Sequence, residues 1–241
     1  MTELLYQTDS YLQSFDAEIV AVAEDNHGVV LDKTAFYPGG GGQPADAGTL
    51  TIGDKTYPVS RLKRIDGEYV HILAGDDALP AVGTPVHGQI DWEHRYQLMR
   101  THTAMHILCG VVFRDYGAQV TGGNMDPLKG RMDFEFESMQ KELVEEITNA
   151  INVEVEKGRD VKVAILPRAE AFQIPDLIRT KINLLPEGIK EVRTIEIVGL
   201  DLQADGGTHV KNTAEVGRIQ VTDYKSKGKI NKRIYVELQE D

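Results

Sequence analysis

Asp91-Trp92-Glu93-His94-Arg95-Tyr96-Gln97-Leu98-Met99-Arg100-Thr101-His102-Thr103-Ala104-Met105-His106-Ile107-Leu108-Cys109-Gly110-Val111-Val112-Phe113 is the stretch on which the fold turns. Asp91 is a good N-cap, and Trp92 through Phe113 reads as a helix with Tyr96, Met99, His102, His106 and Cys109 along one side. Upstream, from Phe15 to Ile90, no helical period is present. Ala17 to Val22 is apolar-rich, Asn26-His27-Gly28 offers a turn, and Gly53-Asp54 and Asp66-Gly67 punctuate strands around Leu50, Val59 and Val70. That pattern predicts a small β-barrel or β-rich domain over 1–90. Downstream, Ser138 to Lys157 reads as a second helix, with Leu143, Ile147 and Ile151 recurring on one face. Val161, Val163 and Ile165 alternate like a strand, Val192 to Val198 resembles another, and Gly217 to Tyr224 with Ile230 to Leu238 reads as a hairpin around Gly228. Helices interspersed with strands give an α+β second domain over 91–241.

The bulk numbers are compatible with that division. A chain of 241 residues, 41% hydrophobic, supports one large domain or two modest ones. No basic, apolar leader opens the sequence, and no apolar run approaches the ~18 residues of a membrane span. A single cysteine, Cys109, excludes an intramolecular disulfide and a Cys-rich zinc ribbon. The expectation is a soluble, cytoplasmic protein with no membrane partner. The net charge of −12 argues against a general nucleic-acid coat protein. It leaves room for a local basic footprint, and Lys225, Lys227, Lys229, Lys232 and Arg233 form one, with Arg61, Lys63 and Arg64 a smaller one. Solvated hairpin tips are the plainer explanation of such runs.

His102 and His106 stand at i and i+4, one above the other on a helix face, where two imidazoles can grip one metal ion. His209, closing Asp205-Gly206-Gly207-Thr208-His209, offers a third imidazole. The residues between His102 and His106 lack the glutamate that zinc peptidases place after the first His, so a metallopeptidase is not expected. Tyr37-Pro38-Gly39-Gly40-Gly41-Gly42-Gln43-Pro44-Ala45-Asp46 holds four consecutive glycines, whose entropic cost marks a tight backbone path or a close approach. A phosphate cradle is one reading, though the Lys-Ser/Thr ending of a P-loop is missing; a structural loop packed against the second domain is the other.

Taken together, these segments carry a specific resemblance. Phe36-Tyr37-Pro38 with its glycines, Gln43 and Asp46; Asp91-Trp92 leading to His102-Thr103-Ala104-Met105-His106; Arg168-Ala169-Glu170-Ala171 through Ile178-Arg179-Thr180-Lys181; and Asp201-Leu202-Gln203 through Gly206-Gly207-Thr208-His209-Val210, on to Thr213, Glu215 and Gly217, occur in family order. The chain resembles the freestanding alanyl-tRNA editing proteins of the AlaX type and the editing region of alanyl-tRNA synthetase. The resemblance implies a β-barrel followed by the α/β editing domain shared with threonyl-tRNA synthetase. It also implies hydrolysis of serine or glycine wrongly attached to alanine tRNA at a zinc site, with the tRNA acceptor end as partner. No ATP-binding or synthetase module fits in this length.

One position departs from the family. Its members commonly place Cys four residues before the last His, where this chain has Asp205. Carboxylate is a harder and less zinc-selective ligand than thiolate. The expected ligand set is His102, His106, Asp205 and His209; the alternative is a three-His site with Asp205 orienting an imidazole. Cys109, seven residues beyond His102 or ~10 Å along a helix, suits a core position better than ligation. His27, His71, His87 and His94 lack such pairing and read as surface or strand histidines. Thr103 and Gln203 are the candidate catalytic hydrogen-bonding groups, Thr103 as reader of the seryl hydroxyl, and no glutamate base is evident. Gln43 and Asp46 are expected at the substrate, and the basic hairpin from Lys225 to Arg233 at the acceptor stem. Two other classes share these features: a metal-dependent esterase for small molecules, and a noncatalytic tRNA-binding module.

Overall fold

The computed structural model describes residues 2–75, 77–180, 185 and 188–239. Lys181, part of the matched stretch, lies outside the described residues. The chain divides into two compact units: Met1–Gly40 with Pro44–Tyr96, and Gly41–Gln43 with Gln97–Asp241. In order, the strands are β1 (Glu3–Leu4), β2 (Ser14–Ala23), β3 (Gly28–Leu31), β4 (Lys33–Thr34), β5 (Gly48–Ile52), β6 (Lys55–Ile65), β7 (Glu68–Leu73), β8 (Pro85–Ile90), β9 (Val120–Asp126), β10 (Lys129–Glu135), β11 (Val161–Pro167), β12 (Glu191–Ile197), β13 (Asp201–Ala204), β14 (Ile219–Ser226) and β15 (Asn231–Leu238). The α-helices are α1 (Trp92–Tyr116), α2 (Lys141–Glu156) and the single turn α3 (Arg168–Ala171).

The first unit is the expected barrel, closed in the order β2-β3-β7-β6-β5-β8. Alternation drives it: in β8, Val86, Gly88 and Ile90 face inward while Pro85, His87 and Gln89 face out. Phe15, Ile19, Leu31, Phe36, Leu50 and Leu62 fill the interior. Gly88 is required by that filling, because a Cβ there would lie 2.4 Å from the Phe15 ring. Arg95, the largest fully buried side chain, sits in this unit and forms a fork with the buried Asp46 carboxylate through Nε and Nη2. Its remaining donors reach the carbonyls of Ser10 and Ala35 at 3.0 and 2.7 Å.

In the second unit α1 is longer than expected, running to Tyr116. Asp91 is its cap, with Oδ1 accepting the His94 N–H at 3.2 Å. Its apolar face is not a stripe, however. Every residue from Leu98 to Val112 is buried, so this is a central helix without a solvated side. Close approach is bought with glycine: a Cβ at Gly130 of β10 would lie 2.6 Å from Met105 Sδ, and one at Gly110 3.0 Å from Asp201 Cβ. The rest of the unit is a four-stranded sheet, β14-β15-β10-β9, and a three-stranded sheet, β11-β12-β13. Helix α2 buries Val144, Ile147 and Ile151, whereas Leu143, expected inside, is only half-buried. Its Glu154 is buried because Arg114, Lys157 and Arg159 all donate to it. The expected hairpin is β14–β15, with its turn beyond Ser226. Among the described residues no helix is long and apolar enough to cross a membrane.

Candidate metal centre

His102 and His106 leave successive turns of α1, and Asp205 and His209 come from the segment after β13. Together these residues could hold a metal ion: one ligand atom from each lies within 4.8 Å of all the others. The three Nε2 atoms face the Asp205 carboxylate. His209 Nε2 lies 3.1 Å from Oδ2, and the Nε2 atoms of His102 and His106 lie 3.4 and 4.0 Å from Oδ1. Asp205 also closes its own turn by accepting the Gly207 N–H at 2.7 Å.

The outward nitrogens show how the rings are held. Gln43 Oε1 accepts the Thr208 N–H at 3.0 Å, which identifies that atom as the oxygen, and its Nε2 donates to Thr208 Oγ1 at 2.8 Å. His102 Nδ1, 3.0 Å from the same oxygen, must then carry the proton. Its Nε2 is therefore a lone pair facing a carboxylate oxygen. His106 Nδ1 lies 3.3 Å from Asp201 Oδ2, an acceptor-only group, at ion-pair distance though not aligned as a hydrogen bond. This again leaves Nε2 as the inward lone pair. At His102 and His106, acceptors thus face the Asp205 carboxylate, while His209 Nε2 lies at hydrogen-bond distance from its other oxygen; a cation at the centre would remove the conflict. Three imidazoles and one carboxylate fit zinc and its first-row neighbours, and the outward partners fix ring orientation as metal-site histidines require.

Burial pushes the His102 imidazole down to about 4, aided by the charges of His106 and Arg193 and opposed by Asp205. Burial, with the neighbouring His102, also holds His209 well below the ordinary histidine range. Burial lowers His106 too, but the facing carboxylates of Asp201 and Asp205 outweigh it and the net shift is upward. Burial alone would raise the Asp205 carboxyl; the surrounding imidazoles of His102, His209 and His106 instead hold it well below the usual range. Neutral imidazoles at His102 and His209 beside an ionised Asp205 are ligand forms a metal needs, whereas the upward shift of His106 means that a metal there would compete with a proton.

The cluster opens on a cavity of about 680 Å³, lined also by Met105, Met125, Arg179, Gln203 and Gly206. Gly41 and Gly42 line it as well. All four glycines of the run have positive φ, from 58° to 139°. Gly42 accepts the Met125 N–H at 3.1 Å, and a Cβ there would lie 3.2 Å from the Gly123 carbonyl oxygen. Gly42 is thus packed within the second unit, whereas a Cβ at Gly41 would meet nothing within 4 Å.

Several expected site residues sit elsewhere. Thr103, expected to read a substrate hydroxyl, is fully buried behind His209. Its Oγ1 lies 3.1 Å from His209 Nδ1 and accepts the Val210 N–H, so it holds a ring and does not face the cavity. Asp46, expected at the substrate, is spent on Arg95 and the Tyr37 N–H inside the first unit. Gln43 holds His102, while Gln203 lines the cavity and donates to Asp201 Oδ2 at 2.6 Å. Within the basic hairpin, Arg233 forms a fork with Asp133 and Lys232 is buried, donating to the carbonyls of Gly228 and Lys229. Lys225 is exposed beside Asp223 at 2.8 Å, and Lys227 and Lys229 are exposed. Cys109 is buried, and burial raises its thiol far above the ordinary range. Asp201, which opens the fourth matched segment, has no role assigned by the sequence; its signal is that membership and its place four residues ahead of Asp205.

Residues 7–94, which include the barrel strands from β2 onward, match the family described as tRNA synthetases class II (A). Residues 192–235 match the threonyl and alanyl tRNA synthetase second additional domain. A barrel joined to that domain, with a histidine–carboxylate cluster, defines a protein of the synthetase editing-domain class. The chain belongs to the AlaX family of alanyl-tRNA editing proteins. It is 42% identical over 98% of both chains to the alanyl-tRNA editing protein AlaX-M of Saccharolobus solfataricus, and 37% identical over 99% of both to that of Methanosarcina acetivorans. A 37% identical match covers 91% of this chain but only 24% of the alanine–tRNA ligase of Ignicoccus hospitalis.

Proposed function

We propose that this protein is a metal-dependent deacylase that acts in trans, hydrolysing the ester of serine or glycine wrongly attached to alanine tRNA. The observation that supports it most directly is the convergence of His102, His106, His209 and Asp205, the first two and Asp205 lining a cavity, with Nδ1 of His102 and His106 facing Gln43 and Asp201. The relatives' name supplies the substrate class.

The proposed ligands are the three histidine Nε2 atoms and the Asp205 carboxylate, with zinc as the ion. When bound, the metal supplies a Lewis acid for an ester carbonyl or its attacking water. The protein's own contribution is orientation. Gln43, Thr103 and Asp201 hold the rings, Arg193 donates to the Asp205 and Gly207 carbonyls at 3.0 and 2.8 Å, and Gln203 faces the substrate space. An aminoacyl ester is already activated, so a placed water and local charge suffice without a glutamate base. Lys225, Lys227 and Lys229 are proposed to meet the acceptor stem, while Lys232 and Arg233 shape the hairpin that presents them. The reading places the protein in the cytoplasm, with the charged tRNA pool.

The test is deacylation of Ser-, Gly- and Ala-charged alanine tRNA by metal-depleted protein with and without zinc. Zinc-restored hydrolysis of the mischarged species, sparing Ala-tRNA, is expected. Equal turnover of a short aminoacyl ester would favour a small-molecule esterase, and no turnover under any condition would favour a binding module.

A further inference from the structure

Arg179 is the only lysine or arginine on the cavity lining among the described residues. It is built in with unusual care. Its guanidinium lies 3.9 Å from the centre of the Phe113 ring, and Nε donates to Asp201 Oδ1 at 3.3 Å. The side chain is only 11% exposed. The third nitrogen tells most: Nη1 is buried and has no hydrogen-bond partner among the described residues. An arginine donor left unmatched at the wall of a cavity is costly unless a ligand completes it. A planar fork stacked on an aromatic ring has already lost most of its rotamer freedom, which suits it to a phosphate or carboxylate.

We infer that Arg179 anchors the phosphate of the terminal nucleotide, so that the ester it carries comes to rest at the His102–His106–His209–Asp205 cluster. This rests on the deacylase reading and extends it to a residue that binds substrate. Within the terminal nucleotide the esterified hydroxyl and the 5′-phosphate are separated by a single ribose, so one cavity can receive both. The cavity also holds far more than a seryl group. Asp201 and Asp205 are negative neighbours of the cluster and the protein as a whole carries −12, so a polyanionic substrate entering this cavity needs a fixed cation on its wall. Asp201 links the two functions, because the carboxylate that accepts from Arg179 on one oxygen faces His106 Nδ1 with the other.

The experiment compares wild type and Arg179→Gln on two substrates, seryl-tRNA and seryladenosine, which has the same ester but no phosphate. The expected result is a rise in KM for seryl-tRNA roughly tenfold or more greater than any change in KM for seryladenosine. The slope of log affinity against log salt should fall by about one phosphate contact. Equal loss on both substrates, or loss on neither, would overturn the anchor. The first of these outcomes would make Arg179 a positioning residue acting through Asp201 and His106. If wild type turns over neither substrate, the deacylase reading falls instead. The anchor is then decided by binding alone: wild type must bind adenosine 5′-monophosphate more tightly than adenosine, and Arg179→Gln must erase that difference. Retention of the difference in the variant, or its absence in wild type, overturns it.

Discussion

Gln43 and His102 are 59 positions apart in the chain and 3.0 Å apart at Oε1 and Nδ1. The same oxygen takes the Thr208 N–H, so one side chain sets the His102 tautomer and ties down the strand-end that carries His209. Gln43→Ala is expected to lower metal affinity by about 10–100-fold, read by calorimetric titration with zinc. Gln43→Glu keeps both accepted bonds and should recover part of the loss. Identical affinity in wild type and Gln43→Ala would mean that His102 needs no holding.

Neighbouring glycines separate fold from cavity. A Cβ at Gly207 would lie 2.3 Å from His102 Cε1 and 2.5 Å from Gln43 Oε1, whereas one at Gly206 would meet nothing within 4 Å. Gly207→Ala should therefore displace His102 and abolish tight zinc binding. Gly206→Ala should bind zinc normally while reducing turnover of the charged tRNA, since it narrows the cavity. The reverse ranking in a zinc titration would refute this geometry.

The Asp46–Arg95 pair predicts a stability effect away from the metal. Both side chains are fully buried and each answers the other's charge. Arg95→Met strands the Asp46 carboxylate and should cost about 3–5 kcal/mol in urea unfolding. The cost should shrink when Asp46→Leu is added, and a double variant no better than the single would contradict this.

His71 gives the barrel an acid sensitivity. Burial pushes it down from 6.5 to about 4, against the pull of the Val29 carbonyl. Its Nε2 pairs with Thr34 Oγ1 at 2.8 Å. The unfolded chain accepts a proton on this ring at a pH where the native barrel refuses it. Stability is therefore full above the ordinary imidazole range and is lost as pH falls from about 6.5 to about 4, by about 3 kcal/mol. The urea midpoint of wild type should fall over that window more steeply than that of His71→Gln. Parallel curves for the two proteins would remove His71 as the cause.

Much of this was legible beforehand, and the reasons differ by residue. His102 and His106 announced themselves by helical spacing, and Asp205 and His209 by their repetition of it beside two glycines. The barrel is legible in the missing helical period and in the turns at Asn26-His27-Gly28, Gly53-Asp54 and Asp66-Gly67. Helix α1 was misread as one-sided because burial on all faces leaves no polar period to detect. Thr103 and Asp46 have protein partners, His209 with Val210 and Arg95 with Tyr37, which the sequence hides for a different reason: polarity marks a residue as bonded without saying to what. Arg179, Asp201 and Gln43 owe their roles to pairings across 22 to 165 positions, which no local pattern records.

Gly41–Gln43 belongs to the second unit, although the chain on both sides of it belongs to the first. No single cut can therefore deliver either unit whole. A fragment starting at residue 91 would carry all four residues of the cluster and lack the glutamine that holds His102. The match to the alanine–tRNA ligase of Ignicoccus hospitalis, covering 91% of this chain, likewise spans both units. Those three residues interleave the two units along the chain, so a fragment meant to hold the cluster together with its glutamine must begin at or before residue 43.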